Sequence, residues 1–118
     1  MNNKVFKVKF LSSSEQVFKY SAEVITSHII FNGHFPQHPV VPGVCTINMI
    51  KDCIEDIVSR QVRYDYIKEC KFLSAIEPSS HSILNVNMTI EEESDFINVM
   101  AMVMDGETKI MKLKATLI

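Results

Sequence analysis

The residue best placed to do chemistry in this chain is His34. It lies in Phe31-Asn32-Gly33-His34-Phe35-Pro36-Gln37-His38-Pro39-Val40-Val41-Pro42-Gly43-Val44, which holds two of the chain's three glycines and three of its four prolines. Proline lacks the backbone donor and fixes φ, while glycine relaxes it, so the segment reads as a stiff, shaped loop. The loop runs directly into a helix, with Pro42 and Gly43 at its start. A titratable imidazole held beside a helix N-terminus is suited to acid–base chemistry on a polarised carbonyl.

The elements that must hold this loop follow from periodicity. Residues 4–11 and 16–25 alternate polar and apolar, as half-buried strands do, and Ser12-Ser13-Ser14-Glu15 between them is turn chemistry, so the two pair as a hairpin. From Gly43 to about Arg60 the period changes. Val44, Ile47, Ile50, Ile54, Ile57 and Val58 form one stripe of an amphipathic helix about 27 Å long, with Met49 and Cys53 widening its apolar arc. Charges gather in its second half, so the N-terminal half is expected to be the more deeply buried. Strand-like segments follow at about 62–76, 82–92, 95–104 and 108–118, with turns at Glu77-Pro78-Ser79-Ser80 and Asp105-Gly106. Met100, Met102 and Met104 share one face of a strand and Ala101 and Val103 the other, which belongs in the middle of a sheet or at a junction between copies. The methionines are expected to fill core around the helix, or to line an adaptable apolar tunnel.

These elements give an α+β chain: an antiparallel sheet of about six strands curling around one long helix, in a single domain over 1–118. One helix cannot cover both faces of such a sheet, so at least a dimer is expected. A net charge of −2 with 22% charged residues offers no basic excess for nucleic acid or an anionic membrane. No apolar run approaches the roughly 20 residues needed to span a bilayer, and Met1-Asn2-Asn3-Lys4 is no signal peptide. Cys45, Cys53 and Cys70 form no CxxC pair and read as free thiols of a cytoplasmic protein, which argues against a zinc site. His38 lies four residues after His34, but Pro36 and Pro39 exclude the helix a metal pair would need. His28 and His81 read as surface or strand-end residues, and Glu91-Glu92-Glu93 as a solvated strand end.

Gly33-His34-Phe35-Pro36 followed by Pro39-Val40-x-Pro42-Gly43-Val44 resembles the motif of the β-hydroxyacyl-acyl carrier protein dehydratases of the hot-dog superfamily. The layout of residues 16–118 agrees, and Lys71-Phe72-Leu73 through Ile76-Glu77-Pro78 looks like that family's third strand and the turn ending it. The resemblance implies dehydration of 3-hydroxyacyl thioesters to trans-2-enoyl thioesters, as in fatty-acid biosynthesis, with no cofactor or metal. His34 matches the histidine that exchanges the proton at C2, and the Val40 carbonyl matches the acceptor that orients its ring. The Gly43 N–H matches the donor to the thioester carbonyl, where negative charge builds as the C2 proton leaves. Phe35 and Val44 complete the implied substrate-binding set. The implied partners are an acyl carrier protein or coenzyme A thioester and a second copy of the chain or a homologue. Lys68, Lys71, Arg60 and Arg63 are the candidate docking cations for a carrier protein.

The family also places a helix carboxylate across the dimer to protonate the departing hydroxyl. Here this sequence departs: that position holds Asn48, and Asp52 stands one turn later where many members carry glutamine. An asparagine cannot surrender a proton at neutral pH. Three readings stay open. In one, Asp52 serves as the acid, directly or through a water, and Asn48 holds the hydroxyl. In another, His34 alone shuttles the proton. In the third, the site is degenerate and the chain is a non-catalytic subunit pairing with an active homologue. A hot-dog thioesterase is a further alternative, against which the Gly-His-Phe-Pro loop argues.

Overall fold

The strands β1 (Phe6–Ser14) and β2 (Val17–Val24) form the expected hairpin, but its turn is shorter than the serines suggest. Ser12, Ser13 and Ser14 stay in the ladder opposite Lys19, Phe18 and Val17, and Glu15 alone takes a left-handed φ of 55° to reverse the chain. A bulge between Phe10 and Ser12 lets the strand run on past its alternating stretch. The computed structural model describes residues 4–28, 40–77 and 83–118. His34, Phe35, His38, His81 and the Pro78 turn therefore lie outside the described residues.

The helix α1 (Gly43–Val58) is followed by β3 (Tyr64–Phe72), β4 (Ile83–Glu92), β5 (Ile97–Asp105) and β6 (Thr108–Leu117). All pair antiparallel in one sheet of order β1-β2-β4-β5-β6-β3. The Asp105-Gly106 hairpin is as expected, with Gly106 at a φ of 57° that a side chain would resist. Alternate residues of the strands point inward: Tyr20 and Ala22, Leu84 to Ile90, Ile97 to Val103, and Leu113 to Leu117. They close over the helix, whose buried seam is Thr46, Met49, Ile50, Cys53 and Ile54. Among the described residues no helix is long and apolar enough to cross a membrane.

Four expectations need correction. The helix seam runs through Thr46 and Cys53 and leaves Val44 62% exposed, because at about 100° per residue Val44 stands on the side of the helix opposite Thr46 and Cys53. Ile47, Ile57 and Val58 flank the seam and are half-buried. The helix stops at Val58, where Ser59 turns left-handed (φ 57°) and donates its N–H to the Glu55 carbonyl. The strand expected over 62–76 ends at Phe72, because Leu73 and Ser74 both turn their N–H groups to the Ile110 carbonyl. β5 does lie mid-sheet, but Met100, Met102 and Met104 face outward from it, opposite Lys114, Lys112 and Lys109. The methionines that fill core are Met49, Met88 and Met111.

Candidate active site

Two hydrogen bonds anchor the helix from opposite sides. The Tyr20 hydroxyl on β2 donates to Asp56, and the Tyr64 hydroxyl on β3 donates to the Ile47 carbonyl at 2.7 Å. Burial raises both phenols above their ordinary value, and in Tyr20 the Asp56 carboxylate adds to the rise. Cys53, fully enclosed on the inner face, is pushed up to about 12 by burial, with Asp52 and Asp56 adding. Burial also raises Cys45 and Cys70, so all three thiols, which are free, are poor nucleophiles at neutral pH.

At the helix start, Pro42 holds an extended backbone (φ −59°, ψ 141°), no side chain among the described residues caps the first turn, and no acidic residue lies in it. The Cys45 N–H donates to the Pro42 carbonyl at 3.0 Å, and the Gly43 and Val44 N–H groups ahead of it have no acceptor within the helix. The Val41 N–H donates to the Ile76 carbonyl at 2.9 Å, which ties this end to the segment after β3. Phe72 lays its ring against Gly43, where a Cβ would stand 2.6 Å from the ring tip, so only glycine admits this contact. Beside them opens a cavity of about 450 Å³ with Val41, Gly43, Thr46, Phe72, Ile76 and Ile110 in its walls. It can take an apolar chain whose polar head meets backbone donors.

Asn48 and Asp52 open on a different space. Both line a cleft of about 290 Å³ with Lys4, Phe6, Cys45 and Met49. Asn48 is exposed, while the Asp52 side chain is only 14% exposed and its Oδ1 lies 3.3 Å from Lys4 Nζ. An adjoining space of about 300 Å³ shares Lys4, Phe6 and Asp52 and adds Lys7 and Ile25. The structure thus brings Asn48 and Asp52 together, as their i, i+4 spacing requires, and keeps them apart from Gly43 within one chain.

Val40 is half-buried and Val44 exposed; the valine that lines the Gly43 cavity is Val41. Lys4 is the group that the sequence reading missed. It precedes β1, some forty residues from the helix, and nothing local marks it. Of the candidate docking cations, Lys71 is occupied by Glu69 at 3.7 Å, which Lys112 also approaches at 3.9 Å. Among the described residues no group of three or more His, Cys, Asp or Glu could hold a metal ion.

The profile of the ApeI-like family, described as ApeI dehydratase, matches residues 9–109. The chain is 27% identical over 89 residues to the 3-hydroxyacyl-acyl-carrier-protein dehydratase FabZ of Fusobacterium nucleatum subsp. nucleatum, covering 71% of this chain and 63% of that protein. It is 30% identical over 78 residues to FabZ of a Sulfurovum species, covering 55% of this chain and 52% of that protein. The chain therefore spans only about half to two thirds of the length of these relatives. In fold it is similar to the dehydratase heterocomplex ApeI:P from Xenorhabdus doucetiae, with a TM-score of 0.71 at 16% identity over 92% of this chain and 93% of that one. It is also similar to a sigma28-regulated virulence protein from Campylobacter jejuni, with a TM-score of 0.72 at 10% identity over 100% of this chain and 86% of that one. Six antiparallel strands around one helix, a glycine opening that helix onto a cavity, and a profile match over most of its length make this chain a member of the ApeI-like dehydratase family, with the hot-dog fold and with asparagine at position 48.

Proposed function

We propose that the protein dehydrates 3-hydroxyacyl thioesters to trans-2-enoyl thioesters, in a site shared by two copies of the chain. The observation that carries this reading is the division of labour along α1. Gly43 opens on a cavity whose lining carries no charge, while Asn48 and Asp52 open on a cleft with charged side chains that does not include it. A substrate with an apolar tail, a thioester oxygen and a neighbouring hydroxyl needs both surfaces at once. Two antiparallel copies meeting at the β3 edge, whose Tyr66 and Phe72 are 63% and 54% exposed, would set the cavity walled by Phe72 at their junction, and the proposal has the other copy's cleft meet it there.

In this site His34 takes the C2 proton and the Gly43 N–H receives the charge that develops on the thioester oxygen. One such preorganised donor is worth on the order of 10²–10³ in rate. Asn48 and Asp52 from the other copy hold the 3-hydroxyl as it leaves. The carrier is the phosphopantetheine arm of an acyl carrier protein or of coenzyme A, and the setting is cytoplasmic fatty-acid-type biosynthesis.

The test is turnover of a 3-hydroxyacyl thioester by wild type, His34→Ala, Asp52→Asn and Asn48→Glu. Wild-type turnover with a loss of about 10²–10⁴-fold in His34→Ala supports the reading. A second reading, a non-catalytic subunit paired with an active homologue, is favoured by the amide at position 48 and by a solved neighbour that is itself a dehydratase heterocomplex. An inactive wild type that gains activity in Asn48→Glu would favour it.

A further inference from the structure

We propose that Lys4 donates the proton to the departing hydroxyl, with Asp52 as its anchor and Asn48 as the hydroxyl's hydrogen-bond partner. The inference deepens the dehydratase reading and rests on it. Three side chains in one cleft carry it. Asn48 is an amide and has no proton to give. Asp52, the nearest carboxylate on that face of the helix, is the anionic half of an ion pair with Lys4 at 3.3 Å. What carries a transferable proton in this pair is the ammonium. Asp52 is nearly enclosed, and Lys4 is half-exposed at the cleft's open side. The carboxylate, one helical turn from Asn48, therefore holds the ammonium in the cleft that Asn48 also lines.

Among the described residues, the other titratable groups that line these two spaces are Lys51 and Cys45 in the same cleft and Lys7 in the adjoining one. Lys51 and Lys7 carry the same charge as Lys4. Cys45 has its thiol raised by burial and holds its proton. Of the three ammonium groups, Lys4 is the one that Asp52 anchors.

The step balances. The C2–H bond breaks toward the base, its electron pair forms the C2–C3 double bond, and the C3–O bond breaks with its pair on oxygen. That oxygen takes one proton from Lys4 Nζ and leaves as water. Lys4, now an amine, regains a proton from solvent, and the base returns its own to solvent. In the reverse hydration the amine accepts a proton from the attacking water.

The experiment compares turnover of a 3-hydroxyacyl thioester by wild type, Lys4→Arg, Lys4→Ala and Lys51→Ala, with added ethylammonium or tetramethylammonium. Proton donation by Lys4 makes both Lys4 variants lose about 100-fold or more in kcat. It also makes Lys4→Ala recover with ethylammonium and not with tetramethylammonium, which has charge but no proton. The guanidinium of Lys4→Arg preserves the ion pair without giving up a proton, so retained activity in that variant overturns the inference and leaves the dehydratase reading standing. A loss in Lys51→Ala with none in Lys4→Ala also overturns it. An inactive wild type overturns both.

Discussion

The two hollows beside α1 differ in whether they carry charge. The one at Gly43 is walled mostly by apolar side chains, carries no charged group, and offers the backbone and the hydroxyls of Thr46 and Ser74 for polar contact. The one at Asn48 is lined by an amide, a carboxylate and two ammonium groups. Backbone donors at a helix start are fixed by the fold and need no side-chain ordering, so they suit an oxygen that gains charge in one place. Side chains can exchange protons and move, so they suit a leaving group. In the proposed reaction, which has two polar centres, a single helix can serve both because its end and its flank are chemically different surfaces.

Gly43→Ala is the sharpest way to break the first hollow. The added Cβ would displace the Phe72 ring, which is half-exposed and able to swing away, so the fold should survive with an unchanged Tm. Catalysis should not survive as well, because the ring walls the cavity at the donor; a loss of about 100-fold in kcat/KM is expected. Combining Gly43→Ala with Phe72→Leu makes room for the methyl group, and part of the activity should return in the same assay.

Alkaline unfolding probes the anchors that both hollows share. Tyr20, Tyr64 and Cys53 all titrate higher in the folded protein than the ordinary values of 10.0 for the phenols and 9.0 for the thiol. A raised value means that the unfolded chain loses these protons first. Stability from these groups is therefore complete below about pH 9 and falls as pH rises from there through 12. Urea midpoints measured from pH 7 to 11 should be flat and then drop, and Tyr64→Phe should lessen the drop.

Tyr20→Phe removes the bond to Asp56 while keeping the buried ring. It should cost about 1.5 kcal/mol in chemical denaturation, at the low end for a bond to a charged group because Asp56 itself is exposed. The smallest expected effect is a gain. Ser59 ends the helix in the left-handed region, which glycine enters without a Cβ penalty, so Ser59→Gly should add about 0.5–1 kcal/mol in the same measurement.

The layout of this molecule was legible because its signals are local. Alternation marked the strands, the change of period at Gly43 marked the helix, and Asp105-Gly106 marked the hairpin. The errors lie where a local signal was overruled by contacts distant in sequence. Ser12–Ser14 look like a turn and are held in β1 by β2. Val44 is spaced to share a stripe with Ile47, but the seam that the sheet covers runs through Thr46, Met49, Ile50 and Cys53 on another side of the helix. Met100 and its outward neighbours are apolar without being core. In the candidate site, the Gly43 surface was visible as a motif and Asn48 and Asp52 as a helical pair. Lys4 was not, because an ion pair between residues 4 and 52 depends on where β1 crosses the helix.

The shared site is tested most directly by complementation between two defective variants. His34→Ala and Asp52→Asn, each expected to be inactive alone, are co-refolded in equal amounts and assayed on a 3-hydroxyacyl thioester. If each site takes His34 from one copy and Asp52 from the other, half the dimers are mixed and each has one intact site, so about a quarter of wild-type turnover returns. If the mixture stays as inactive as its components while mixed dimers are shown to form, the two hollows do not belong to one site.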